Sequence, residues 1–244
     1  MKATVLGVVP ARLQSKRFPG KVLREIAGKP LVLHALDRLS EASSIDAALI
    51  ATDSADVKRE GARFGAEVVL VAEPCATGTD RVARALAGRE FEIAVNLQAD
   101  QPLIAPADID RLVSRLRDDS SFDVTTLAYP DDDPSSFASR DAVKVVVDAA
   151  GRALYFSRAP IPSSKDDSRN SLFLHHVGIY CFRRAALERF AELPRARLEK
   201  QESLEQLRAL EAGMAVGVLL TDSAAPDVDR PSDLEAVERM LGGR

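Results

Sequence analysis

Four runs in the first half of the chain, VLGVVP (5–10), AALIATD (47–53), EVVLVA (67–72) and FEIAVNLQAD (91–100), are apolar at nearly every position rather than at alternate ones. A strand that faces water on one side alternates, whereas a strand covered on both faces does not. Between these runs lie segments with helical spacing: PLVLHALDRLSEA (30–42), SADVKREGARFG ending at Gly65, and TDRVARALAG (79–88) with Thr79 as its expected cap. A further helix opens at Pro106. Strands buried on both faces and alternating with helices require a mostly parallel sheet with helices on both faces, the α/β layer class.

The second half reads differently. FDVTTLAYP (122–130), AVKVVVD (142–148) and HHVGIYCF (175–182) are β-branched strands joined by irregular segments, and PSSKDDSRNS (162–171) reads as a mobile surface loop. Helices are expected around 184–191 and over 199–212, the latter stopped by Gly213. AVGVLLTD and a terminal helix opened by a Ser232-x-x-Glu235 capping box complete the chain. The pattern predicts one α/β domain over residues 1–244 with a more β-rich later portion.

Composition narrows the function. A chain of 244 residues, 46% hydrophobic, buries one sizeable core, and a net charge of −4 argues against non-specific nucleic-acid binding. No apolar run approaches the roughly 20 residues of a membrane span, and MKATVLGVVPAR lacks a signal-peptide cleavage pattern. Cys75 and Cys181 are far apart and lack metal-type spacing, so they read as inert thiols in a reducing cytoplasm.

PARLQSKRFPGK (10–21) places Arg12, Lys16, Arg17 and Lys21 in a loop after the first strand, with no acid among them. Ligands of open α/β sheets bind beyond the carboxyl ends of strands, and arginine forks match phosphate oxygens. Neither a Walker loop nor a dinucleotide fingerprint is present. The chemical reading is a triphosphate or pyrophosphate clamp, and the alternative is a solvated basic loop. In VNLQADQPLI (95–104) a single carboxylate, Asp100, stands between two glutamines at the exit of a buried strand. It reads as a metal ligand, as a turn-forming aspartate or as the remnant of a richer acidic site.

PARLQSKRFPGKVL resembles the nucleotide loop of sugar-acid cytidylyltransferases, P-A-R-x-x-S-x-R-x-P-G-K, a loop that CMP-sialic acid synthetases share. ATGTDR (76–81), VNLQADQPLI, ALYFSRAPIP (153–162), HHVGIYCFRR (175–184) and LEKQESLEQLRALEAG (198–213) narrow the likeness. Over residues 3–241 the chain is similar to the CMP-Kdo synthetases, the 3-deoxy-manno-octulosonate (Kdo) cytidylyltransferases.

The resemblance implies a nucleotidyltransferase-type α/β fold, dependence on Mg2+ and a homodimer. It implies a cytoplasmic enzyme of lipopolysaccharide biosynthesis that moves CMP from CTP to the anomeric hydroxyl of Kdo. A related acid such as 8-amino-Kdo, or CTP binding without turnover, are the alternatives. Within the single domain, the nucleotide part would cover roughly 1–120, the sugar-acid and dimer-forming part 121–220, and the C-terminal metal aspartate and helix 221–244. Arg12, Arg17 and Lys21 would hold the triphosphate, with Lys21, Arg12 and Asp100 as the catalytic set. Thr77, Thr79 and Arg81 would lie along the nucleotide, although Thr79 equally reads as a helix cap.

Asp100 and Asp229 would hold the metal, with Asp222, Asp227 and Asp233 as nearby decoys and an aspartate favoured at a helix start as the alternative for Asp229. Gln98, Arg158, His176, Tyr180, Glu205 and Gln206 would contact the sugar acid. Tyr180 also reads as core, Glu205 as an exposed helix residue, and His34 as an ordinary helix residue. The family usually has Gln-Gly-Asp-Glu-Pro where this chain has Gln98-Ala99-Asp100-Gln101-Pro102. Ala99 requires either a turn with negative φ or a different local path.

Overall fold

The computed structural model describes residues 4–14, 18–163, 165, 172–222 and 227–242. Arg17 and most of the polar 162–171 stretch lie outside the described residues. The chain divides into two compact units, residues 1–111 with 225–244 and residues 112–224.

The first unit opens with β1 (Val5–Ala11), a 3-10 turn (Lys21–Leu23) and a small hairpin, β2 (Glu25–Ile26) and β3 (Lys29–Pro30). It continues with α1 (Leu31–Glu41), β4 (Ala47–Thr52), α2 (Ala55–Arg63), β5 (Val68–Leu70), α3 (Gly78–Ala85) and β6 (Ile93–Leu97). The division between units falls within α4 (Pro106–Asp118). The strand order is β6–β1–β4–β5, and every pairing is parallel. Every residue of β1 and β6 is buried, as the unbroken apolar runs require. Gly7 of β1 meets Leu39 of α1, whereas Pro10, of opposite parity, meets Gly78 of α3, so helices cover both faces.

The connectivity fixes where a ligand fits. From β1 the chain steps outward to β4 and β5, then returns to β6 on the other side of β1. A crevice opens beyond the carboxyl ends of two neighbouring strands whose connections run in opposite directions. The strands at this switch point are β1 and β6, so the basic loop and the segment from Gln98 to Asp100 emerge side by side.

The cap of α3 is Thr77, not Thr79. Thr77 Oγ1 accepts from Asp80 N–H at 3.2 Å, and Asp80 Oδ2 accepts from Thr77 N–H at 2.9 Å. Gly78 and Thr79 are already helical, and Asp80 at the third helical position supplies the return bond of a capping box.

The second unit contains β7 (Val124–Asp131), α5 (Pro134–Ala138), β8 (Lys144–Val147), β9 (Ala153–Ser157), β10 (Phe173–Arg183) and α6 (Arg184–Glu192). It ends with α7 (Arg197–Glu202), α8 (Gln206–Glu211) and β11 (Val216–Leu220). The order β11–β7–β10–β8–β9 is antiparallel throughout except for the parallel β11–β7 pair. ALYFS is therefore a strand where an irregular segment was expected.

The single helix expected over 199–212 is two helices. Ser203 ends α7 in the left-handed region, at φ 54° and ψ 46°. This break lets Arg208 turn back onto Glu199 with two parallel bonds, Nε to Oε2 at 2.9 Å and a terminal nitrogen to Oε1 at 2.8 Å. Both side chains are almost fully buried, and the guanidinium lies 4.3 Å from the Phe190 ring centroid.

The last helix, α9 (Pro231–Gly242), belongs to the first unit. Val228 and Val237 join Ile26, Leu31 and Leu103 in one apolar cluster, which fixes the chain just before the helix. The expected Ser232–Glu235 box does not form this start. The helix begins at Pro231, so Asp233 occupies its third position, and Asp233 Oδ2 accepts from the N–H groups of Asp229 at 2.9 Å and Arg230 at 2.7 Å.

Removing one partner of a buried ion pair strands the other charge. Arg208→Ala should cost about 3–5 kcal/mol of unfolding free energy in a urea titration. Removing the partly exposed Arg195, which also reaches Glu199, should cost less than about 1 kcal/mol.

Candidate active site

At the switch point, Lys21 sits in the turn that follows the basic loop. Gly20 precedes it at φ 71° and ψ 12°, a left-handed conformation that glycine adopts at low cost, and its N–H donates to Leu13 C=O at 3.0 Å. The loop closes on itself this way and delivers the Lys21 ammonium to the carboxyl end of β6. Lys21 Nζ donates to Asp100 Oδ2 at 2.6 Å and to Val228 C=O at 3.0 Å, and reaches Asp229 Oδ1 at 3.4 Å. Val228 N–H in turn donates to Asp100 C=O at 2.9 Å. The two aspartates, 129 residues apart by number (229 − 100), therefore face one ammonium.

Asp227 makes a third carboxylate in this corner. The Gln101 amide donates to Asp227 Oδ1 at 3.2 Å. Loss of hydration around the Asp227 carboxyl and the charges of Asp100 and Asp229 raise its pKa. The residue as a whole is exposed, so the neighbouring carboxylates are the firmer cause. A glutamate at position 101 would add a fourth carboxylate, whereas the amide of Gln101 gives Asp227 a donor. Ala99 is buried and its φ is not positive, so the turn keeps the backbone sense an alanine accepts.

Two carboxylates converging on a cation make a hard-oxygen site. Among the described residues no three His, Cys, Asp or Glu side chains are placed to hold a metal ion together. Asp100 and Asp229 are carboxylates of the kind Mg2+ takes one or two of beside phosphate and water. The donor set fits Mg2+.

Arg12 is exposed at the end of β1. Thr77 caps α3, and the buried Thr79 accepts from Asn96 Nδ2 at 2.9 Å, while Asn96 Oδ1 accepts from Gln98 Nε2 at 3.1 Å. A Cβ on Gly78 would stand 3.1 Å from the Gln98 amide, so glycine is what lets α3 approach that side chain. Asn96 escaped the sequence reading. Its signal was a polar residue in the middle of an apolar strand. Arg81 is nearly buried and bonded to Asp53 Oδ2 at 2.7 Å and Val71 C=O at 3.4 Å, joining the ends of β4 and β5. Its guanidinium already serves the fold.

The sugar-acid candidates all lie in the second unit except Gln98. In a regular strand His176 and Tyr180 would be about 13 Å apart. An irregularity between Val177 and Tyr180 in the β10–β7 register brings their ring centroids to 5.6 Å. His176 Nε2 is 2.9 Å from Thr126 Oγ1, and Phe156 packs edge-on against its ring. Burial, with His175 adjoining, pushes the His176 imidazole down to about 3. Burial, with Glu205 nearby, holds the Tyr180 phenol well above its ordinary value.

Glu205 is half-buried at the start of α8, and Gln206 is buried with its Nε2 lacking a partner among the described residues. An orphaned buried donor is what a ligand hydroxyl would satisfy. The Arg158 guanidinium donates to the carbonyls of Glu202 at 2.8 Å, Arg140 at 2.8 Å and Ser203 at 3.4 Å. Glu202, also unforeseen, accepts from Ser157 Oγ at 2.8 Å and Arg158 N–H at 3.0 Å.

A sheet with this switch point, a basic loop on one strand and a carboxylate on the next define a nucleotidyltransferase fold. A sequence model of the cytidylyltransferase family matches residues 6–216, and the chain belongs to that family, on its CMP-Kdo synthetase branch.

The protein named 3-deoxy-manno-octulosonate cytidylyltransferase from Syntrophobacter fumaroxidans is 43% identical over 241 residues, spanning 97% of this chain and 96% of the relative. An 8-amino-3,8-dideoxy-manno-octulosonate cytidylyltransferase from Shewanella pealeana is 42% identical over 245 residues, with 99% of each covered. The solved CTP complex of CMP:2-keto-3-deoxy-manno-octonic acid synthetase superposes with a TM-score of 0.92 at 36% identity, covering 99% of both chains. A 4-diphosphocytidyl-2C-methyl-D-erythritol synthase from Anaerococcus prevotii, at 13% identity and a TM-score of 0.63, shares the fold.

A histidine whose pKa is lowered by folding takes up protons more readily when unfolded. The stability His176 contributes is complete above the unfolded value of about 6.5 and is lost as pH falls towards 3. The His176 ring-proton NMR shifts should therefore stay constant from pH 8 to pH 5. A midpoint near 6.5 would show the ring to be solvated instead.

Proposed function

We propose that this protein transfers the cytidylyl group of CTP to the anomeric hydroxyl of Kdo, releasing pyrophosphate and forming CMP-Kdo for lipopolysaccharide biosynthesis. The observation that carries the reading is Lys21, Asp100 and Asp229 meeting at the β1–β6 switch point. Relatives named for this reaction, alike over nearly their whole length, support it.

The hydroxyl oxygen forms a bond to the α-phosphorus as the bond to the bridging oxygen of pyrophosphate breaks, and the hydroxyl proton is released. Phosphoryl chemistry of this kind needs positioning and charge neutralisation more than covalent help. Arg12, Arg17 and Lys21 supply positive charge for the triphosphate, and Lys21 is held ready by its carboxylate partners. Asp100 and Asp229 would hold Mg2+, which when bound neutralises phosphate charge.

In the second unit Arg158 takes the acid's carboxylate, with Gln206, Glu205 and the neutral His176 for hydroxyls. The buried pKa-shifted groups there donate and accept hydrogen bonds without titrating near neutral pH. Thr77 and Thr79 lie along the nucleotide in this reading, and Gln98 is a candidate contact for a sugar hydroxyl.

The same reading makes the protein a cytoplasmic homodimer. The exposed Leu154, Leu172 and Leu220 of the second unit support a covering second copy, and the free thiols of Cys75 and Cys181 support a reducing compartment. Among the described residues no helix is long and apolar enough to cross a membrane. A second reading, transfer to 8-amino-Kdo, rests on the one Shewanella relative at 42% identity and is supported less well than the first.

Purified protein should release pyrophosphate from CTP only when both Mg2+ and an acceptor acid are present. In a panel of Kdo, 8-amino-Kdo and sialic acid, Kdo should give the highest kcat/KM. Preference for 8-amino-Kdo would move the assignment to the second reading, and silence on all three would remove the enzymatic one. Asp100→Asn should lower kcat by about a hundredfold or more, because it weakens the site where charge builds. Near-normal turnover would strike Asp100 from the metal ligands.

A further inference from the structure

Lys144 of AVKVVVD has no part in the reaction above, and it is fully buried on β8. A buried ammonium costs several kcal/mol in lost hydration, so its retention asks for a reason. It pairs with no carboxylate among the described residues. Its three N–H groups go to three backbone carbonyls: Ser139 at 2.7 Å, Ala142 at 2.8 Å and Arg158 at 2.8 Å.

These carbonyls interleave with those that Arg158 takes. Lys144 holds Ser139 and Ala142, and the Arg158 guanidinium holds Arg140 between them. Lys144 stands opposite Ser157 in the β8–β9 ladder, so its ammonium reaches just past the end of β9 to the Arg158 carbonyl. The main chain of Arg158 is thus fixed from both sides: its C=O by Lys144 and its N–H by Glu202 Oε2 at 3.0 Å. Three of its five guanidinium N–H groups are occupied by carbonyls, and among the described residues the other two are left for a ligand.

The charges of this network do not balance. Lys144 and Arg158 give two positive charges against the one negative charge of Glu202. The Glu202 carboxylate is already engaged by Ser157 and the Arg158 backbone. Neutral donors would satisfy carbonyl oxygens at lower cost, so a surplus cation at this place matches an anionic ligand.

We propose that Lys144 is a positioning residue for the acceptor acid, holding Arg158 and the 139–142 segment so that the guanidinium meets the substrate carboxylate. The proposal rests on the reading of Arg158 as the carboxylate contact. Burial and the Arg158 charge hold the Lys144 ammonium below the usual lysine value, consistent with a cation kept in an unfavourable setting.

The test is steady-state kinetics on Lys144→Met, Arg158→Met and the double variant, with thermal melts of each. Lys144→Met removes the cation at similar length and should raise the KM for the acceptor acid about tenfold or more, leaving the KM for CTP within about twofold. In the Arg158→Met background the same change should add little further to that KM, because Lys144 acts through Arg158. Equal increases in both KM values, no increase, or full additivity in the double variant would overturn the proposal. If Arg158→Met itself leaves the acid's KM unchanged, the underlying reading of Arg158 fails instead.

Lys144→Gln, which keeps a donor without the charge, serves if the methionine variant does not fold. Failure of both to fold would make Lys144 a structural lysine and overturn the assignment.

Discussion

The Lys21 ammonium shared by Asp100 and Asp229 is the interaction on which the corner at the end of β6 depends. It needs three parts of the chain at once: the loop after β1, the turn after β6 and the segment that returns before α9. Each is brought there by something other than the ion pair. Gly20 turns the loop, the end of β6 presents Asp100, and Val228 anchors the returning segment in an apolar cluster. Packing therefore bears the cost of holding like charges together, and the ammonium offsets their repulsion.

The second unit solves a different problem with the same tools. Its candidate ligands are held by buried groups that do not change charge near neutral pH. His176 and Tyr180 are kept neutral by burial, while Glu199 of α7 and Arg208 of α8 form a buried ion pair. This unit sets fixed dipoles around one guanidinium, whereas the first unit gathers carboxylates around an ammonium.

The departures at Ala99 and Gln101 acquire a physical meaning here. Ala99 fits because the turn does not require positive φ. Gln101 faces Asp227, so its neutral amide lowers the crowding of negative charge beside Asp100.

By itself the sequence determined the α/β class, the mostly parallel pairing of the buried strands, and the motifs that set Arg12, Lys21, Asp100 and Asp229 apart. Unbroken apolar runs and local motifs are properties of consecutive residues. Only the tertiary structure decided that Thr77 caps α3, that Ser203 breaks one helix into two, and that Arg81 is bound to Asp53. Arg81 depends on a partner distant in sequence, the Ser203 break on a backbone angle that no composition reveals, and the Thr77 cap on where the first turn of α3 begins. Asn96, Glu202 and Lys144 were visible as polar residues in apolar or helical surroundings, but a side chain's role is set by what it faces. The sequence alone does not record that Lys144 faces the Arg158 carbonyl.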